Sequence, residues 1–237
     1  ESLYLLIGSP PCTYFSMLQE LNVAVHGHKP EWMAKFEAEK VKAKAHVEFC
    51  CKLYEFQIAN GRHFLHEHPW SARSWGLPCV SRLFEHPAVE LVQGHMCRFR
   101  MTTHVDKKDG QQGLVKKPTG FMSSSRCIRE QLNLKCDGGH LHVSLVGGRA
   151  SGCQVYPQAF CEAIRRGVSN QKAEDATSKV ATSKMSEGEL KSFIYQLSNA
   201  RVRRSNVMSI DETHNRARPI GEYPEHWLDD WHELEGG

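Results

Sequence analysis

A chain of 237 residues with 40% hydrophobic content can bury one sizeable core and carry an appendage beside it. A formal charge of +3 argues against attachment to nucleic acid by net charge alone, so any basic footprint must be local. Nine cysteines, an odd number with no repeated CxxC spacing and an adjacent Cys50-Cys51 pair, argue against a disulfide framework and fit a reducing compartment. No apolar run approaches a membrane span, and the first residues lack a signal-peptide pattern. The expected setting is intracellular, nuclear or cytoplasmic, with no membrane partner. Glu1 stands two positions ahead of a core strand, so the chain reads as a piece of something longer.

Leu3-Tyr4-Leu5-Leu6-Ile7 is short, apolar and uncharged, the pattern of a strand buried in a parallel sheet. Pro10 and Pro11 then stop the ladder, since each lacks an N–H and fixes φ. Cys12 therefore sits on a stiff turn at the carboxyl end of a strand, the edge where open α/β sheets bind ligands. A cation or helix start near such a thiol would lower its pKa and make it a nucleophile; the plainer alternative is an inert buried cysteine. Asn22 to Lys29 reads as a loop, and Pro30 opens a long helix ending at Asn60-Gly61. Its apolar stripe is Trp32, Phe36, Ala43, Val47, Cys50, Tyr54 and Ile58, widened by Phe49 and Leu53, and it is the crossover a parallel sheet needs. His63 to His66 is the next strand, with Glu67 and Pro69 at its carboxyl end. A thiol and a carboxylate thus face one cleft from neighbouring strand ends.

Further on, Ser71 to Arg82 is turn-rich and Val89 to Phe99 reads as a strand leading into Arg98-Phe99-Arg100. Lys116-Lys117-Pro118 and the hydroxyls of Ser123, Ser124 and Ser125 suit phosphate oxygens, the alternative being a wet surface. No metal is assigned. Cys136, His140 and His142, with Cys127 as a fourth ligand, are the zinc candidates, but C-x3-H-x-H matches no common zinc module and a strand over His140 to Val143 is the plainer account. His66, Glu67, His68, His26 and His28 are an alternative metal-hydrolase set, but histidines two apart share a strand face while Glu67 points away, so the cluster lacks an obvious third ligand. Tyr156-Pro157 starts a helix with Phe160, Cys161 and Ile164 inward and Gly167 at its end. The expected domains are a globular unit over 1–167, a linker over 168–185, an amphipathic helix over 186–204 capped by Ser186 and Glu189, and a polar, disordered tail over 205–237.

The string Ser9-Pro10-Pro11-Cys12-Thr13-Tyr14-Phe15-Ser16, with Glu67-His68-Pro69, resembles the cytosine-C5 DNA methyltransferases, whose catalytic motif is P-P-C-x-x-F-S and whose next strand ends in E-N. The asparagine is His68 here. Cys97-Arg98-Phe99, Lys117-Pro118-Thr119 and Tyr156-Pro157 look like a compact phage-type branch, and such segments are similar to inserts in retroelement-like polyproteins. The resemblance covers residues 1–167 and implies an α/β fold, a partial doubly wound parallel sheet. It makes Cys12 the nucleophile toward cytosine C6 and Glu67 the acid at N3. It makes Pro10, Pro11, Ser16, Arg98, Arg100, Lys116, Lys117 and Thr119 the substrate-binding set, DNA the partner and S-adenosylmethionine the methyl donor. The family's glycine-rich cofactor turn lies upstream of the cysteine motif and has no counterpart in this chain. The expectation is thus a catalytic half-domain that binds little cofactor alone and is completed by an upstream segment of the same polyprotein. A different class, a non-catalytic nucleic-acid-binding module, stays open beside it.

Overall fold

The computed structural model describes residues 3–105, 111–146, 149–183, 186, 188, 189, 191 and 192. The chain divides into two compact units, one of residues 1–144 with 152–172 and one of residues 145–151 with 173–237. The first contains the sheet and every side chain of the expected site.

The described elements run β1 (Leu5–Gly8), α1 (Leu18–His26), α2 (Pro30–Ala59), β2 (His63–Pro69), α3 (Pro78–Leu83), β3 (Glu90–His95), β4 (Thr102–His104), β5 (Gln112–Leu114), β6 (Pro118–Ser123), α4 (Arg126–Leu132) and α5 (Gln158–Ser183), with short 3-10 turns between some of them; residues 158–172 of α5 belong to the first unit. The α/β class is as expected. The sheet is not the parallel one anticipated: its order is β1-β2-β6-β3, with β1 and β2 parallel but β6 antiparallel to both β2 and β3. β4 and β5 form a separate two-stranded ribbon.

The reason β1 and β2 pair in parallel lies in α2, whose thirty residues supply the crossover that a parallel pair requires. Phe36, Val47, Cys50, Cys51 and Tyr54 are buried along it, and Gly61 takes the left-handed φ of +64° that ends it. Phe49 does not join the stripe; it is 58% exposed. The Asn22–Lys29 stretch, expected as a loop, is helical as far as His26. β2 is longer than expected, because its antiparallel partner continues the ladder through Glu67↔Phe121, His68↔Gly120 and Pro69↔Thr119. One face of the sheet packs Phe64 and Met122 with Phe15, Val80 and Leu83 against α2 and α3.

On the other face Phe121 meets Phe160 of α5, and Phe160 meets Phe99 and Tyr156. α5 does not stop at Gly167. That glycine is buried where a Cβ would lie 2.7 Å from the Ile128 Cα, so it permits close approach to α4 rather than capping a helix. One turn later the Gln171 Oε1 accepts from Ser125 Oγ at 2.8 Å and from Cys127 N at 3.2 Å, docking α5 on the amino end of α4. The linker expected from residue 168 is therefore helical up to Ser183. In the second unit the Ser186–Glu189 capping box is formed, with Ser186 N donating to Glu189 Oε2 at 2.8 Å and Glu189 N to Ser186 Oγ at 3.4 Å. The remainder of the expected helix over 186–204 and the tail over 205–237 lie outside the described residues.

Candidate functional site

The parallel register Leu6↔Phe64, Gly8↔His66 sets Ser9 opposite Glu67 at the carboxyl ends of β1 and β2. Ser9 Oγ accordingly donates to Glu67 Oε2 at 2.7 Å, and Tyr156 Oη, from the segment before α5, donates to the same oxygen at 2.7 Å. Glu67 is buried, 5% exposed, and its second oxygen, Oε1, has no hydrogen-bond partner among the described residues. Lys117 Nζ stands 3.8 Å from Oε1 and also donates to the Cys153 carbonyl at 3.5 Å. One face of this carboxylate is thus fixed by two hydroxyls, and the other faces a cation.

Cys12 follows the two prolines and is half-buried. Burial raises its thiol pKa above the ordinary value, and the Glu67 charge adds to that rise; Lys117 and a backbone hydrogen bond act in the opposite sense. The expected lowering is therefore reversed in the resting protein, although Glu67 and Lys117 both act electrostatically on the thiol. Burial raises Tyr156 as well, with Glu67 second, so its hydroxyl stays protonated and can donate to the carboxylate.

His68, in the place of the resemblance's asparagine, joins the two strand ends. Its Nε2 lies 3.0 Å from the Pro10 carbonyl and its Nδ1 bonds Ser74 Oγ. Since a carbonyl only accepts, the proton belongs on Nε2 and Ser74 donates to Nδ1. His66, on the same face, bonds Tyr54 Oη at 2.9 Å, and Gly8 is bare because a Cβ there would sit 1.7 Å from that hydroxyl.

The remaining expected site residues divide. Pro10 is buried and Pro11 exposed, in the irregular segment between β1 and the 3-10 turn Thr13–Phe15. Ser16 Oγ accepts from Leu18 N at 3.2 Å just ahead of α1, which is a local role. Thr119 is fully buried and its Oγ1 donates to the Lys117 carbonyl at 3.0 Å, holding the lysine's backbone. Lys117 itself has a φ of +27°, a strained value for a residue with a side chain. Arg98, Arg100 and Lys116 are exposed, with Arg98 Nη1 bonded to Asp137 Oδ2 at 2.6 Å. They lie on neighbouring segments, because Met96 N donates to the Lys116 carbonyl at 2.7 Å. Ser123, Ser124 and Ser125 are buried and structural: Ser123 Oγ donates to the Phe64 carbonyl at 2.5 Å and Ser125 caps α4.

Among metal candidates, Cys127 is a correction. It is buried in α4 beside Gln171 and does not approach the other three; Cys97 does, so that Cys97, Cys136, His140 and His142 carry the only potential metal-ligand group among the described residues. No strand forms over His140 to Val143. The hydrolase set does not assemble: His66 and His68 face Trp75, His26 lies against Trp32 and His28 is exposed. None of the nine cysteines is in a disulfide, and no helix among the described residues is long and apolar enough to cross a membrane.

No protein-family model, curated protein or solved structure matches the chain. Ser9 and Tyr156 are the members of the site that sequence reasoning missed. Ser9 was inside the quoted motif, and the parallel register was the available signal; Tyr156 was quoted with the resemblance, but at 89 residues from Glu67 nothing joined it to the carboxylate.

Proposed function

We propose that the chain is a cytosine-C5 methyltransferase-like catalytic half-domain whose thiol adds to C6 of cytosine in DNA. The observation that carries this reading is the half-buried Cys12 thiol under the influence of a Glu67 carboxylate that keeps one oxygen without a hydrogen-bond partner. Sulfur bonds to C6, the C5–C6 π electrons become a C4–C5 double bond, the C4–N3 π pair settles on N3, and the proton that leaves the thiol passes through Glu67 Oε1 to N3. Glu67 is suited to the N3 edge: Ser9 and Tyr156 hold Oε2 and leave Oε1 for the ring. While Oε1 carries that proton, the Glu67 charge no longer opposes the thiolate and Lys117 is left to stabilise sulfur; delivery to N3 returns Glu67 to the carboxylate beside Lys117. A base reaches such a thiol only outside the stack, and Arg98, Arg100 and Lys116 are the candidates for the flanking phosphates.

The described residues do not fit S-adenosylmethionine. They contain no glycine-rich turn after a strand, and no methyl-transfer step is assigned to this chain. β1 is an edge strand whose Ile7 is 51% exposed, which suits pairing with an upstream segment of the same polyprotein.

The test needs no methyl donor, because addition at C6 makes C5 an enamine carbon that exchanges its hydrogen. In D2O, the 237-residue chain should catalyse deuterium uptake at C5 of cytosine in an oligonucleotide. Loss of uptake in Cys12→Ala and Glu67→Gln supports the proposal. Salt-dependent DNA binding with no exchange in the wild type rejects it in favour of a binding module.

A further inference from the structure

We propose that Cys97, Cys136, His140 and His142 bind one structural zinc ion. The four donor atoms lie within 4.8 Å of one another, and the set is independent of the Cys12–Glu67 site. Cys136 Sγ is 3.6 Å from His140 Nε2 and 3.5 Å from His142 Nε2. Zinc bonds of about 2.3 Å to sulfur and 2.0–2.1 Å to nitrogen at a tetrahedral angle require an S···N separation of about 3.6 Å. The rings are therefore already at ligand spacing, with both Nε2 atoms directed at one sulfur and the second sulfur beside them.

The surroundings are built for a charged sulfur. Gly138 N donates to Cys136 Sγ at 3.3 Å, an N–H aimed by a φ of +83° that favours glycine. The residues next to the two cysteines are joined, Arg98 to Asp137 at 2.6 Å, and Cys136 N donates to His95 Nδ1 at 2.9 Å. The 3-10 turn after β3 and the segment after α4 are thereby held in register with each other. Two thiolates and two neutral imidazoles balance the charge of a divalent cation and complete a tetrahedral shell. A closed shell of this kind is structural rather than catalytic.

A fold reason favours the ion. Residues 133–144 have no helix or strand, and Leu141 is 93% exposed, so apolar burial does little to hold this stretch. It nevertheless supports the site's lysines: Val143 N donates to the Leu114 carbonyl at 2.8 Å, two residues before Lys116. A zinc staple would fix that connection where side-chain packing does not.

The test is elemental analysis of the full chain purified under reducing conditions, followed by cobalt substitution. The expected result is one zinc per chain, and a cobalt spectrum with strong visible bands of tetrahedral geometry and thiolate charge transfer. Cys136→Ser and His140→Ala should lose the metal, whereas Cys127→Ala and Cys161→Ser should keep it. Wild-type protein that takes up no zinc when it is supplied, that gives a weak octahedral cobalt spectrum, or that joins Cys97 to Cys136 as a disulfide instead overturns the proposal. Metal retained by Cys136→Ser but lost on replacing His26 and His28 overturns it too, because the ion would then lie elsewhere. The cobalt spectrum of the wild type stands even if a variant fails to fold.

Discussion

Removing the Lys117 charge while keeping its bulk, as in Lys117→Met, tests whether the site's cation and carboxylate act as a pair. The two charges are 3.8 Å apart, with side-chain exposures of 22% for Lys117 and 7% for Glu67. At an effective dielectric of about 20 that separation corresponds to roughly 4 kcal/mol of Coulomb attraction before desolvation is subtracted. Breaking a fully buried pair from one side costs about 3–5 kcal/mol, because the surviving charge is stranded. Here Glu67 keeps two hydrogen bonds on Oε2 and Lys117 is partly solvated, so the expected loss is about 1–3 kcal/mol. Methionine retains the Cβ, and with it the strain at φ +27°, so relief of strain does not mask the effect. Urea unfolding of wild type, Lys117→Met, Glu67→Gln and the double variant completes a cycle, with an expected coupling of about 1–2 kcal/mol and little change in m. If the single effects add to within about 0.5 kcal/mol, the pair is a proximity without energetic content, and the account of the site's electrostatics fails.

Other outcomes follow from the same geometry. Glu67 raises the Cys12 pKa and Lys117 lowers it, so native-state alkylation of Cys12 at mildly alkaline pH should quicken in Glu67→Gln and slow in Lys117→Met; peptide mass spectrometry reads the rate, and the reverse order refutes the assignment. His66 is brought down to about 3 by burial, with the neighbouring His68 contributing. Its unfolded value is about 6.5, so the unfolded chain binds the extra proton between those limits, and stability is full above the upper one and falls as pH drops. The loss from this group should reach about 2 kcal/mol at pH 5, and a His66→Gln variant with the same acid dependence as wild type would exclude it as the source. Gly167→Ala places a Cβ against the Ile128 backbone and should cost about 1–3 kcal/mol; an unchanged thermal midpoint would show that α5 does not need that approach.

The thiol, the carboxylate and the long crossover helix were legible because each depends on local signals: a proline pair, a strand exit and a helical period. The sheet order was not, since β6 enters between β2 and β3 from 49 positions beyond the end of β2, and nothing in its own residues names its neighbours. Gly167 was misread for a physical reason: a glycine that ends a helix and one that lets two helices touch look alike until the facing Ile128 is known. The strand over His140 to Val143 was misread similarly, because histidines at i and i+2 carry the alternation of a strand whether or not one forms. Cys97 could not be matched to them without the Arg98–Asp137 contact that spans 39 positions.

Position 68 shows how such a gap bears on function. Read as a substitution in a motif, the histidine counts against catalysis. Its bonds give it a different task, since it ties the Pro10 carbonyl to Ser74 and so fixes the turn that carries Cys12 relative to the strand that carries Glu67. Burial lowers its pKa, the bond to Pro10 and the Glu67 charge opposing, so the ring stays neutral and keeps the single tautomer this bridge requires. His68→Phe would keep an aromatic ring of similar shape and lose both bonds. It should leave the fold cooperative while reducing C5 exchange at least as much as it reduces stability. Exchange that persists unchanged in His68→Phe would mean that Cys12 and Glu67 need no clamp, and that the histidine is only a core residue.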